Sequence, residues 1–173
     1  GVYRPAAVPR AAVEHEVVLP DGQRRVVADP PTAPEKPQRP DVPSAGPAHA
    51  PVPTTVRAPL GRVCGARSGD KGGDANIGVW ARADAAYAWL RGLLTAERVR
   101  ELLGPETADL AVEVHPLPNL RAVNVVVHGL LGDGVASSTR PDPQAKGLGE
   151  YLRSRVVDVP AGLLADAAPA PPA

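Results

Sequence analysis

The 173 residues contain no methionine and no phenylalanine, one cysteine, two tryptophans and three tyrosines. A lone Cys64 closes no intrachain disulfide, and with four scattered histidines it supplies no Cys/His zinc module. A reducing, cytoplasmic setting is the simpler expectation, and no metal is expected. Net charge is also lacking, because 19 Lys+Arg balance 19 Asp+Glu. That balance argues against a nucleic-acid partner held by a basic surface. No apolar run approaches the roughly 20 residues that cross a bilayer, and GVYRPAAVPR lacks signal-peptide organisation, so no membrane partner is expected. An opening at Gly1 with no methionine anywhere predicts a piece of a longer protein.

Proline and glycine are abundant instead, at 22 and 17 residues, and unevenly spread. Ten prolines fall between Pro30 and Pro59, where fixed φ and missing N–H groups oppose both helix and central-sheet pairing. Residues 30–55 are therefore expected to be a linker. Before it, VEHEVVL, Pro20-Asp21-Gly22 and QRRVVA predict a hairpin within 1–29, too small to bury an independent core. Residues 56–160 suffice for one small α/β domain, and 161–173, ending AAPAPPA, read as a flexible tail.

Within 56–160, VRAPLGRVCGA and IGVWARA predict strands flanking a glycine-rich loop. Asp84 is expected to cap DAAYAWLRGLL, and Thr95 to start TAERVRELLG. Leu90, Leu93, Leu94, Val99, Leu102 and Leu103 form one apolar face, and Gly104-Pro105 ends the helix. LAVEVHPL and RAVNVVVHGLL are two further strands. In the second, Val123, Val125 and Val127 share one side, while Asn124 among its valines needs a hydrogen-bonding partner. PQAKGLGEYLRSR predicts the last helix, and VVDVP a short edge strand.

Two polar segments carry the candidate chemistry. Arg67-Ser68-Gly69-Asp70-Lys71-Gly72-Gly73-Asp74-Ala75-Asn76 has neither P-loop nor dinucleotide-fingerprint spacing. Its glycines permit tight turns, and its charged and amide groups suit an anion, a cation or each other. Gly132 to Asp142 offers hydroxyls and N–H groups ahead of the last helix, with Arg140 and Lys146 to neutralise an anion. The competing reading of both segments is a set of turns closed by ion pairs. Cys64, His115 and His128 are each expected to be structural.

ARSGDKGGDANIGV, the LPN at Leu117 to Asn119 with Asn124 in the next strand, and GDGVASSTRPDPQAKG together resemble the carboxy-terminal ferredoxin-like domain of AtuA-family, acyclic-terpene-utilisation-like proteins. The resemblance covers about residues 56–160, and residues 1–29 look like the tail of the larger AtuA domain that precedes it. It implies an α/β (α+β sandwich) fold, a ferredoxin-like single sheet with helices packed on one face. Arg67, Asp70, Lys71, Asp74 and Asn76 fall in its RSGDKG-x-x-AN pattern, Asn119 and Asn124 in its asparagine pattern, and Asp142, Gln144 and Lys146 in its later polar pattern. Val125 stands where the family commonly has phenylalanine. The expected partners are a larger AtuA-like domain or subunit, a further copy of the chain, and an anionic small molecule. The expected role is an accessory domain that helps enclose an acyl-CoA or carboxylate, bound by Arg67, Lys71, Asn76, Asn119, Asn124, Arg140 and Lys146. No cofactor is expected, with CoA entering only as part of a substrate. The alternatives are a hydratase or lyase reaction with Asp70 or Asp74 as acid/base, and a structural subunit-interaction module.

Overall fold

The computed structural model describes residues 6–30 and 54–165, which form two compact units. Most of the proline-rich linker (31–53) and the terminal AAPAPPA lie outside the described residues. In the smaller unit β1 (Glu16–Val18) pairs antiparallel with β2 (Arg24–Val26). Gly22 closes the turn at φ +83°, donating its N–H to Leu19 O at 2.9 Å, so the expected hairpin is present.

The larger unit opens on β3 (Thr55–Pro59), turns through Leu60–Arg62, and continues into β4 (Cys64–Lys71) and β5 (Asp74–Ala81). Helices α1 (Asp84–Leu93) and α2 (Ala96–Leu103) follow, then β6 (Val112–Leu117) and β7 (Ala122–Val127). The chain ends in α3 (Leu148–Ser154), β8 (Val156–Pro160) and a short α4 (Ala161–Ala165). The main sheet has the order β4-β5-β7-β6, every pair antiparallel. Because β7 lies between β5 and β6, the β5-helix-β6 segment is a split βαβ unit, the element from which ferredoxin-like folds are built. A separate ribbon pairs β3 with β8, so the expected edge strand joins the two ends of the domain.

One face of the sheet makes the core. Ala75, Ile77 and Val79 of β5 and Val123, Val125 and Val127 of β7 are buried in register beneath Leu90, Leu94, Val99 and Leu152. Each buried Val, Leu or Ile contributes about 1.5–3 kcal/mol over leaving it in water. The apolar face expected of α1 and α2 is buried apart from Leu93, which is partly covered. Thr95 caps α2, its Oγ1 accepting from Arg98 N at 3.2 Å, and Gly104 at φ +94° stops it. Asp84 behaves differently from expectation: it is the first helical residue behind Ala83, and its carboxylate accepts from Arg121 Nε at 2.5 Å.

Two boundaries also shift. VRAPLGRVCGA is not one strand, because the proline and the Leu60–Arg62 turn divide β3 from β4. The last helix begins only at Leu148, since residues Asp142 to Gly147 are occupied by turns that Asp142 holds, accepting from Lys146 N at 2.8 Å and Gly147 N at 2.9 Å. Gly149 brings α3 onto β4, where an added Cβ would lie 3.3 Å from Ser68 Oγ. Ser68 Oγ accepts from Gly149 N at 2.8 Å and donates to Lys146 O at 3.2 Å.

Candidate functional site: the open face of the sheet

The glycine-rich motif expected to be a loop is mostly strand. Arg67 to Lys71 pair residue by residue with Gly78 to Asp74, leaving only Gly72 and Gly73 in the turn, with Gly72 at φ +68°. Strand alternation then divides the motif between the two faces. Ser68 and Asp70 lie on the helix side, with Ala75 and Ile77 as partners. Arg67, Gly69 and Lys71 lie on the opposite side, and no described helix of this unit covers them.

That opposite side is built in rows running across the strands. Gly65, Trp80, Ala122 and Leu117 form the first, and Arg67, Gly78, Asn124 and His115 the second. Gly69, Asn76, Val126 and Glu113 form the third, with Lys71, Asp74 and His128 at the edge beyond. The first row is apolar: Trp80 and Leu117 are each 40% exposed, and the indole covers Gly65, where an added Cβ would stand 2.4 Å from the ring.

At the centre Asn76 Nδ2 donates to Asn124 Oδ1 at 2.5 Å, which supplies the partner that Asn124 required. Beside them Gly78 forms a notch, the nearest atom to an added Cβ being Arg67 O at 3.9 Å. Lys146 reaches over the edge strand, its Nζ 3.2 Å from the position a Gly69 Cβ would take. Arg67, Lys71 and Lys146 form no ion pair among the described residues.

The far corner holds a chain of acid and imidazole groups. His128 Nδ1 contacts Asp74 Oδ2 at 2.9 Å and its Nε2 contacts Glu113 Oε1 at 3.3 Å, while His115 Nε2 contacts Glu113 Oε2 at 2.9 Å. Asp74 Oδ1 also accepts from Gly129 N at 2.8 Å. The Gly129 N–H, followed by His128, holds the Asp74 carboxyl below its ordinary range. His115 and then His128 do the same for Glu113. Asp74 above all, with Glu113, raises His128.

The predicted site residues thus fall into groups. Arg67, Lys71, Asp74, Asn76, Asn124 and the Lys146 amine share the open face. Asp70 lies on the helix side, so the two aspartates do not meet over one ligand. Asn119 is exposed in the turn joining β6 to β7, beyond the Trp80 row. Arg140 Nη2 pairs with Glu106 Oε2 at 2.6 Å, in the segment that follows α2. Gln144 is exposed, and Asp142 holds the turn into α3.

The two polar segments do touch through their backbones. Leu131 N donates to Gly73 O at 2.8 Å, and an added Cβ at Gly73 would lie 2.3 Å from Gly132 O. A shallow concavity of about 480 Å³, lined by Arg100, Glu101, Gly104, Pro105 and Ala108, contains none of the predicted residues. The open face is preferred as the site because three of the predicted cations, Arg67, Lys71 and the Lys146 amine, gather there without an ion pair among the described residues. Sequence reasoning missed Glu113 and Trp80 and set His128 aside as structural. The available signal was spacing by two, since Glu113-x-His115 and Asn76-x-Gly78-x-Trp80 each mark one side of a strand.

Cys64, at the start of β4, is buried, and its thiol donates to Leu60 O at 3.3 Å. Burial pushes it up to about 12, which keeps it protonated and unreactive, in agreement with a structural role.

No curated protein and no solved structure matches the chain. The family model of the AtuA ferredoxin-like domain matches residues 58–158, more than half of the chain, and the match begins in β3 and ends in its ribbon partner β8. The sheet order, the placement of the RSGDKG motif on β4 and that match agree: this chain belongs to the AtuA ferredoxin-like domain family.

Proposed function

We propose that this domain is an accessory unit of a larger AtuA-like metabolic protein, and that its open sheet face helps enclose an anionic substrate, an acyl-CoA or a carboxylate. One observation carries the reading: Arg67 and the Lys146 amine stand on the β4 side of the Asn76–Asn124 pair and the Gly78 notch, and no carboxylate among the described residues forms an ion pair with either cation. Unpaired cations beside oriented amides recognise a carboxylate or phosphate by charge-assisted hydrogen bonds. Asp142 and Ser68 serve this site indirectly, by fixing the turn that carries Lys146. Arg140, tied to Glu106, positions its loop in the same way.

Calorimetry of the chain, with and without the larger AtuA-like domain, against isovaleryl-CoA and short branched carboxylates tests this. Binding is expected, with Arg67→Ala weakening it about tenfold or more, the effect of losing a hydrogen bond to a charged group. Absence of binding even with the larger domain present contradicts the proposal.

The Asp74–His128 contact supports a second reading, direct participation in a hydratase or lyase reaction: with its carboxyl held below the ordinary range, Asp74 is a weak base and acts by orienting the raised His128 imidazole as the acid/base. Asp74→Asn then lowers turnover of the complete assembly at least tenfold, whereas Asp70→Asn, on the other face, does not. Unchanged turnover in Asp74→Asn rejects this second reading.

A further inference from the structure

Along β4 the open face carries more positive charge than a single carboxylate neutralises, and the series starts beside an indole. Alternation sets Gly65, Arg67, Gly69 and Lys71 on this face at intervals of about 7 Å. Trp80 covers Gly65, Arg67 follows, the Lys146 amine stands over Gly69, and Lys71 completes the row. The carboxylate in register with Lys71 is Asp74, already held by His128 and the Gly129 N–H. Glu113, the other carboxylate that the described strands place on this side, lies across the sheet on β6 and is paired with His115 and His128.

We infer that this row is a site for a nucleoside diphosphate group, the base against Trp80 and the phosphates along Arg67, Lys146 and Lys71. The inference rests on the reading that the open face receives an anionic substrate, and it assigns the domain to the nucleotide end of a CoA-like molecule. A carboxylate brings one negative charge to three cations, whereas a diphosphate brings at least two and extends along the row. The exposed indole adds a stacking surface, worth roughly a 5- to 150-fold gain in affinity per base. Single-stranded nucleic acid shares this chemistry, but the chain's zero formal charge and the one indole on the face favour a free nucleotide.

Isothermal titration of the 173-residue chain with ADP, isovalerate and a short oligo(dA), alongside melting curves of each variant, tests the assignment. ADP is expected to bind more tightly than either other probe. Trp80→Ala is expected to weaken it about tenfold or more, Trp80→Phe to retain most of the affinity, and Lys146→Ala to reduce both affinity and its salt dependence. Isovalerate binding without ADP binding overturns this inference and leaves the carboxylate reading standing. Silence toward both probes overturns it as well. ADP binding unchanged in a folded Trp80→Ala variant contradicts the placement, and tighter binding of the oligonucleotide overturns the assignment to a free nucleotide.

Discussion

Asn124 shows how one polar side chain is accommodated on a strand otherwise made of valines. Its partner on β5 is Gly78, which has no side chain, so on that side the amide turns toward Asn76 one row away and accepts from its Nδ2. Removing it leaves Asn76 Nδ2 with only Val125 O at 3.5 Å. Asn124→Ala is therefore expected to cost about 1 kcal/mol in urea unfolding, and adding Asn76→Ala should cost little more. Fully additive losses show that the two amides act separately. Gly73 is constrained by backbone rather than by a movable side chain: a methyl there meets Gly132 O at 2.3 Å. Gly73→Ala is expected to destabilise by about 1–3 kcal/mol, whereas an unchanged melting temperature refutes a tight contact between the two loops.

At the scale of elements, the ends of β5, β6 and β7 are joined by the Asp74–His128–Glu113 contacts. His128 is raised above its ordinary 6.5, so its contribution is complete below that value and is lost as pH rises through the higher folded value. Asp74 and Glu113 are lowered from 3.8 and 4.5, so theirs is complete above those values and is lost as pH falls through the lower folded ones. The clasp is thus fully formed between about pH 4.5 and 6.5. Melting temperature should decline above that window, and His128→Gln should flatten the decline; an identical slope in the variant refutes the coupling. Such a clasp was hard to read from sequence because its groups come from three strands, and only the register brings them together. The α2 cap, by contrast, is local and was legible from Thr95 onward. The RSGDK segment was misjudged as a loop because its glycines signal turns, yet Gly69 and Gly78 sit within paired strands, where one admits Lys146 and the other leaves the notch open.

For the whole larger unit, the alternating valines and the helical leucines disclosed an α/β pattern, and the ordered motifs disclosed the family and, through that resemblance, a single sheet with helices on one face. What they did not disclose was which motif side chains share a face. A one-residue shift in register exchanges the two sides, and register is decided by pairing between distant segments. The central claim is that the helix-free side of the sheet receives the ligand. The most direct measurement is a two-dimensional NMR titration of the chain with isovaleryl-CoA, following backbone amides. The account predicts shifts concentrated at Arg67, Gly69, Asn76, Gly78 and Asn124 with α1 and α2 silent; shifts confined to those helices, or none at saturating ligand, contradict it.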